Sequence, residues 1–468
     1  MSDQKRDVLQ IGKQVEMFVD DTLIHRMEKT YLKLNPPEKK EIVLTMDQPW
    51  EGSGSGIYCS VFKDGDIYRM YYRGTFDNSS DHSNGQACCY AESRDGIHWE
   101  RPELGIHEFN GSTRNNIIML GNIAHNFSPF LDTRPGVPPQ EKYKAVAGYA
   151  PRGLFTFVSE DGLHFTKFQE EPVLTKGAFD SHNLAFWDAQ RNCYICYSRY
   201  FASNLEPNIE APEDSAVFVG VRAIQYSTSE DFIHWTEPQP NEYDKGPLEH
   251  FYTNSTLPCP GAEHIYLSFP MRFMPERFKI AGHSKVGVSD NTFMTSRNGM
   301  FWKRAFREAW TRPGLDPRNW TQRSSAPAWG ILETSTEEFS LYINEHYQWD
   351  DSRIRRVTVP RHRFASVHGD YTGGVFTTKL LAVGGNALMI NYATSAPGSV
   401  KVGIIDESGW PISNFSTEDC DIIYGDELSY TVTWRGNADL SSFVGKAVRF
   451  KFELKDADIY ALRFGDCT

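Results

Sequence analysis

Three acidic residues of the 468-residue chain stand where a carboxylate can do chemistry. Asp180 lies in Phe179-Asp180-Ser181-His182-Asn183, just before an apolar run that reads as a strand. Glu51 lies in the glycine-rich Pro49-Trp50-Glu51-Gly52-Ser53-Gly54, and Glu345 ends a hydrophobic run and precedes His346. Two carboxyl groups flanking one bond can divide the work, one giving a proton to the leaving atom and the other acting as base or nucleophile. Each acid also has a structural role open to it. Asp180 can cap a turn, Glu51 can be a plain loop acid, and Glu345 can pair with an arginine. Glu333 and Asp132 are weaker candidates, since strand-end acids often point to solvent.

A second pattern surrounds these acids. Arg73, Arg152, Arg199 and Arg272 each fall at or just past the end of an aromatic-rich run, and Arg323 precedes another. Several arginines around one opening would hold an anionic or polyhydroxylated ligand through bidentate hydrogen bonds. Alternatively, they end strands and pair with acids on a rim. Asn126, His182, Asn183, Tyr252 and Asn254 stand at the starts of runs, and with Trp50, His346 and the five arginines they complete the candidate binding set. Trp50 offers an aromatic face for stacking. His182 has its own ordinary reading as a histidine satisfied by backbone groups.

Other chemistries find less support. The fourteen histidines show no HxxxH or HExxH spacing, so no protein-bound zinc is expected. Cys193-Tyr194-Ile195-Cys196 has CxxC spacing inside a strand-like run, where positions three apart point to opposite faces. Buried free thiols are the better reading of the eight cysteines. Gly52-Ser53-Gly54-Ser55-Gly56 only mimics a nucleophile elbow, without a strand-to-helix context.

The elements that must position these residues are announced by a repeated turn. Arg94-Asp95-Gly96-Ile97-His98-Trp99 returns as Glu160-Asp161-Gly162-Leu163-His164-Phe165, as Glu230-Asp231-Phe232-Ile233-His234-Trp235 and as Arg297-Asn298-Gly299-Met300-Phe301-Trp302. The steps from 95 to 161, 231 and 298 are 66, 70 and 67 residues. Such a period marks a repeat architecture. Each unit reads as two apolar or aromatic strands, a third strand, and the turn into a short fourth. First and second strands are expected at 57–62 and 67–73, 127–131 and 143–149, 183–187 and 193–200, 255–258 and 264–269, and 328–333 and 338–347. The last turn is expected near Arg361-His362-Arg363-Phe364.

Four-stranded units repeated radially make a β-propeller. The expected fold is all-β: an N-terminal segment (1–45) packing on a five-bladed β-propeller (46–372), then a β-sandwich (373–468) whose surface could serve a homo-oligomer. In such a ring, first-strand starts and second-strand ends open on one face, which is why the residues above converge. The formal net charge of −13 argues against nucleic acid or an anionic membrane as partner. No apolar run reaches transmembrane length. The opening Met1-Ser2-Asp3-Gln4-Lys5-Arg6 has no apolar core of a signal, which gives a cytoplasmic expectation.

The turns Ser93–Trp99, Ser159–Phe165 and Ser229–Trp235, with the hairpin Lys63-Asp64-Gly65-Asp66-Ile67-Tyr68-Arg69-Met70-Tyr71-Tyr72, resemble those of the five-bladed β-propeller glycoside hydrolases of families 32, 43, 68, 117 and 130. The resemblance implies an exo-acting glycosidase on an oligosaccharide, using Asp180, Glu51 and Glu345 as its carboxylate set and the arginines to hold a neutral, acidic or sulfated sugar. No cofactor is implied, although some relatives hold a cation in the central channel. Two departures stand out. The acid that families 32 and 43 place before the first inner strand is replaced by Gly52–Gly56, and the Arg-Asp-Pro motif of family 32 gives way to His125-Asn126-Phe127-Ser128-Pro129. A non-catalytic sugar-binding propeller and a family 130-like phosphorylase therefore stay open as alternatives.

Overall fold

A computed structural model of the chain describes residues 8–466 apart from 77–84, 150–151, 203–219, 245, 248 and 284–285. Among these residues the regular elements are β-strands and four short 3-10 turns, with no α-helix. The chain divides into two units, Pro37–Thr358 and a second made of Met1–Pro36 with Val359–Thr468.

Unit Pro37–Thr358 is a series of mainly antiparallel sheets, with Glu242–Tyr243 and Phe301–Trp302 as a separate parallel pair. The first is Ser60–Asp64, Ile67–Thr75, Gln86–Ser93 and Trp99–Glu100, with Ile117–Leu120 also paired to the third strand. The second runs Ser128–Leu131, Tyr143–Tyr149, Gly153–Ser159 and Thr166–Lys167. The third runs Leu184–Asp188, Cys193–Ala202, Val221–Ser229 and Gln239–Pro240. The fourth is broken into two three-stranded pieces, Thr256–Cys259 with Ala262–Ser268 and Met294–Ser296, and His250–Thr253 with Met271–Met274 and Val288–Asn291. The fifth is Leu332–Glu333, Glu338–Glu345, Arg353–Pro360 and Glu38–Thr45.

The repeated turn does two jobs. Locally, Ser93 Oγ accepts from the Gly96 amide while Asp95 Oδ1 accepts from the amides of Ile97 and His98, which locks the bend by side chain. Ser159 with Asp161, and Ser229 with Asp231, repeat these bonds. The residue after the Asp or Asn has φ of 73° at Gly96, 78° at Gly162, 69° at Phe232 and 72° at Gly299, so Phe232 adopts what glycine does elsewhere. Between sheets, a buried tyrosine hydroxyl donates to the turn carbonyl. Tyr342 reaches Gly96 (2.5 Å), Tyr71 reaches Gly162 (3.0 Å) and Tyr197 reaches Gly299 (2.7 Å). The aromatic after the turn then packs against a neighbouring sheet, as Trp99 does edge-on to Tyr342 and Trp302 to Tyr197.

The unit containing Val359–Thr468 is organised around two strands of 19 residues, Ala387–Ile405 and Ala447–Gly465. They pair along most of their length in a nine-stranded sheet, which also includes Ile24–Glu28, Thr30–Leu34, Ala365–Gly369 and Gly374–Thr378, with Glu16–Met17, Leu381–Ala382 and Asp426–Thr431. Phe18, Phe376 and Phe452 lie in its buried core, with the last two rings stacked at 4.6 Å.

Two expectations about where the chain divides need correction. The N-terminal 45 residues are not one segment: those up to Pro36 supply strands to the second unit, and Glu38–Thr45 is an edge strand of the fifth sheet. Its charged residues form ion pairs there, Glu41 with Arg356 and Lys39 with Glu345. Arg361–Phe364 belongs to the second unit, which begins near 359 and not at 373. The seven described cysteines are free, six of them buried, while Cys467 lies outside the described residues.

Candidate active site

Strand ends and the loops before first strands bring one cluster together in Pro37–Thr358. Tyr58 precedes the first sheet and Arg73 lies on its second strand. Asp180 and His182 precede the third sheet, whose second and third strands carry Arg199 and Arg222. Tyr252 lies on His250–Thr253, Arg323 precedes the fifth sheet and Tyr347 follows its strand Glu338–Glu345. The backbone is left-handed at Tyr58 (φ 53°), Ser255 (42°), Arg323 (58°), Ser325 (71°) and His346 (58°). L side chains rarely adopt that conformation; of these residues Tyr58 and Arg323 belong to the cluster.

A chain of contacts joins the side chains. Asp180 is bonded to Arg199. The guanidinium groups of Arg199, Arg222 and Arg323 lie 5.3, 5.0 and 5.5 Å from the ring centre of Tyr252. The Tyr347 hydroxyl accepts from Arg73 at 2.7 Å and from Arg323 at 3.1 Å. Arg73 lies 5.1 Å from the Tyr58 ring, which packs against His125 at 5.5 Å and His182 at 5.8 Å. Four guanidinium groups thus surround three tyrosines and two histidines, and among the described residues Asp180 is the carboxylate bonded to them.

Burial makes this arrangement electrostatically tense. Arg73, Arg199, Tyr58, Tyr252, Tyr347 and His182 are all buried. The Nε atoms of Arg199 and Arg222 and Nδ1 of His182 are buried with no hydrogen-bond partner among the described residues. Burial lowers the pKa of Arg222, and Arg199 and Arg323 lower it further by repulsion. His182 is pushed down to about 3 by burial, so its imidazole is neutral, 3.4 Å from Ser60 Oγ. Burial likewise pushes the Tyr58 phenol up.

The remaining sequence candidates are engaged elsewhere. Glu51 is buried against Arg101 (3.0 Å) and accepts from the Tyr72 hydroxyl (2.5 Å), with no partner in common with Asp180. Trp50 donates to Asn116 and packs edge-on to Phe109, so it is not an open stacking platform. Glu345 is enclosed by Lys39, Arg353 and Arg355, and His346 is held between Asp316 and Asp351 at 2.8 Å each. Asn126 and Asn183 both donate to the Phe179 carbonyl, and Asn254 lies 3.4 Å from the His182 carbonyl, so these amides brace the backbone under the cluster. Arg272 is occupied by Asp290 and Glu249, while Arg152 is exposed beside Tyr149 and Phe155. Sequence reasoning missed Arg222, Tyr58, Tyr347 and His125. Phe201 pairs with Arg222, so a rule covering the starts of third strands as well as the ends of second strands would have found it. No group of three or more His, Cys, Asp or Glu among the described residues could hold a metal ion.

Solved structures similar to this chain include several glycoside hydrolases. One, described as a glycoside hydrolase, shares 11% identity over 69% of this chain and 92% of its own (TM-score 0.48). A family 43 arabinoxylan arabinofuranohydrolase from Bacillus subtilis shares 10% over 89% of this chain and 96% of its own (TM-score 0.41). An exo-inulinase from Aspergillus awamori shares 11% over 92% of this chain and 98% of its own (TM-score 0.39). No protein-family model and no curated protein matches the chain.

Proposed function

We propose that the chain is a glycoside hydrolase that releases a terminal sugar bearing a carboxylate or sulfate from an oligosaccharide. In this reading the sheets of Pro37–Thr358 are the blades of a five-bladed propeller with the arginine cluster at its mouth, and the second unit is an accessory β-sandwich. The observation that carries the proposal is a surplus of positive charge, buried at Arg73 and Arg199 and half-buried at Arg222 and Arg323. Arg73, Arg199, Arg222 and Arg323 have only Asp180 bonded to them as a carboxylate among the described residues, and two of their Nε atoms have no acceptor. A buried charge without a partner costs several kcal/mol, so a ligand bringing negative charge completes the site. Guanidinium forks match planar carboxylate and sulfate oxygens. Asp180, bonded to a buried guanidinium, serves as the carboxylate that activates water; Glu51 and Glu345 serve the fold.

A second reading rests on the same lone carboxylate. In a glycoside phosphorylase the cluster would hold inorganic phosphate, which replaces the activated water as nucleophile. One experiment separates the two. Sugar release is followed on neutral, uronate-containing and sulfated oligosaccharides, with and without phosphate, for the wild type and Asp180→Asn. Hydrolysis gives free sugar regardless of phosphate and is lost in the variant, whereas phosphorolysis gives sugar phosphate only when phosphate is added. Binding of anionic oligosaccharides without cleavage would sink both enzymatic readings, and a preference for neutral substrates would sink the role given to the arginines.

A further inference from the structure

The hydrolase reading leaves the leaving group without a proton donor, because Asp180 is the base and no second carboxylate of the candidate set shares its contacts. We propose that Tyr252 is the general acid of this site. This inference rests on the hydrolase reading and extends it. As the C1–O bond breaks, its electrons go to the departing oxygen, which takes the Tyr252 Oη proton. The attacking water bonds to C1 and loses its proton to Asp180, and solvent returns that proton to the phenolate. One displacement of this kind inverts the anomeric configuration.

Geometry selects Tyr252 from the three tyrosines. Arg199, Arg222 and Arg323 approach its ring from three different elements, at 5.3, 5.0 and 5.5 Å. A phenolate forming there gains the field of three guanidinium groups, fixed in place before reaction. Tyr252 also keeps 8% exposure, against 3% for Tyr58 and 2% for Tyr347. The groups acting on it are Arg199, Arg222, Arg323, Asp180 and Tyr58. Burial raises its pKa, but Arg323 and Arg199, with Arg222, more than reverse this against Asp180, so it lies below 10.0. The same burial leaves Tyr58 raised. Asp180, bonded to Arg199, and Tyr252, ringed by three guanidinium groups, thus make the acid/base pair of the site.

The test uses the full chain and paired 4-nitrophenyl and methyl glycosides of glucuronic and galacturonic acid. A nitrophenolate leaves without protonation; methoxide does not. Tyr252→Phe should slow the methyl glycoside by about 10²–10⁴-fold while barely affecting the nitrophenyl glycoside. Asp180→Asn should slow both equally. The basic limb of the wild-type kcat/KM profile should disappear in Tyr252→Phe, and the released sugar should show inverted configuration by NMR. Equal loss on both leaving groups, or retained configuration, overturns the assignment. Should Tyr252→Phe fail to fold, titration of wild-type tyrosinate absorbance decides: one tyrosine must ionise ahead of the ordinary range, and its absence overturns the proposal. A wild type that cleaves neither uronide but cleaves sulfated glycosides moves the leaving-group comparison to those. Cleavage of none removes the hydrolase reading and this assignment with it.

Discussion

Substituting Glu345 with Gln tests whether this acid serves structure or chemistry. Its side chain is 2% exposed and accepts from Lys39 (3.0 Å), Arg353 (3.1 Å) and Arg355 (2.9 Å). Gln preserves the shape and one acceptor oxygen but removes the charge, leaving three cations crowded around a neutral amide. Breaking a buried pair from one side costs about 3–5 kcal/mol. Lys39 is 37% exposed and can turn to water, which favours the lower end of that range. The expected loss is therefore about 3 kcal/mol, or a fall in Tm on the order of 5–10 °C for a unit of this size. The pH dependence has a definite sign. Burial pushes the Glu345 pKa up, but Lys39 and Arg355 more than offset it, and its folded value lies below 4.5. Its stabilisation is then complete above 4.5 and is lost as pH falls through the folded value. The gap between wild type and Glu345→Gln should be widest at neutral pH and close in acid, as read by urea melts at a series of pH values. Sugar release per folded molecule should be unchanged. Lost turnover with an intact melting curve would refute the reasoning and return Glu345 to the catalytic set.

Three other outcomes follow from the fold. Glu51 should show the opposite trend, because burial, the largest influence, raises its pKa above 4.5 despite Arg101 and Tyr72. Its contribution falls as pH rises through the window from 4.5 to its folded value, so the difference between wild type and Glu51→Gln, measured by the same melts, should shift against the wild type across that window. Gly162→Ala should destabilise more than Gly65→Ala. Both glycines have positive φ, worth about 1–2 kcal/mol, but a Cβ at 162 would lie 2.9 Å from the Tyr71 hydroxyl while one at 65 meets nothing within 4 Å. Thermal melts of the two variants check the order. Lys144 is fully buried between Asp132 (2.7 Å) and Glu141 (3.0 Å), so Lys144→Met should cost about 3–5 kcal/mol, and adding Asp132→Leu should recover part of it in a double-mutant cycle.

Much of the fold was legible because the repeating signal is local. A Ser-x-Asp-Gly turn satisfies its own amides and ends in a packed aromatic, so the same short string returns wherever the same bend does. The strand Tyr143–Tyr149 was anticipated residue for residue, and the other second strands to within a few residues. What stayed hidden was long-range pairing. Nothing in the charged stretch Glu38–Thr45 announces its pairing with Arg353–Pro360, and no local pattern tells Met1–Pro36 to join strands more than three hundred residues away.

The candidate site was legible by residue type and only partly by partner. Arg73, Asp180, His182, Arg199, Tyr252 and Arg323 were all named from their positions at strand ends, and the structure brings them together. Glu51 and Glu345 occupied equally suggestive positions, but what decides a carboxylate's role is which cations reach it. Those cations come from elsewhere in the chain: Arg101 is fifty residues from Glu51, and Lys39 is over three hundred from Glu345. Asp180 differs from them in proportion. Each glutamate is matched or outnumbered by the cations that reach it, whereas Asp180 is one anion in a cluster of four arginines built around tyrosines. An acid saturated by its own partners holds the fold. Among the described residues, the arginines of the cluster outnumber the acids bonded to them.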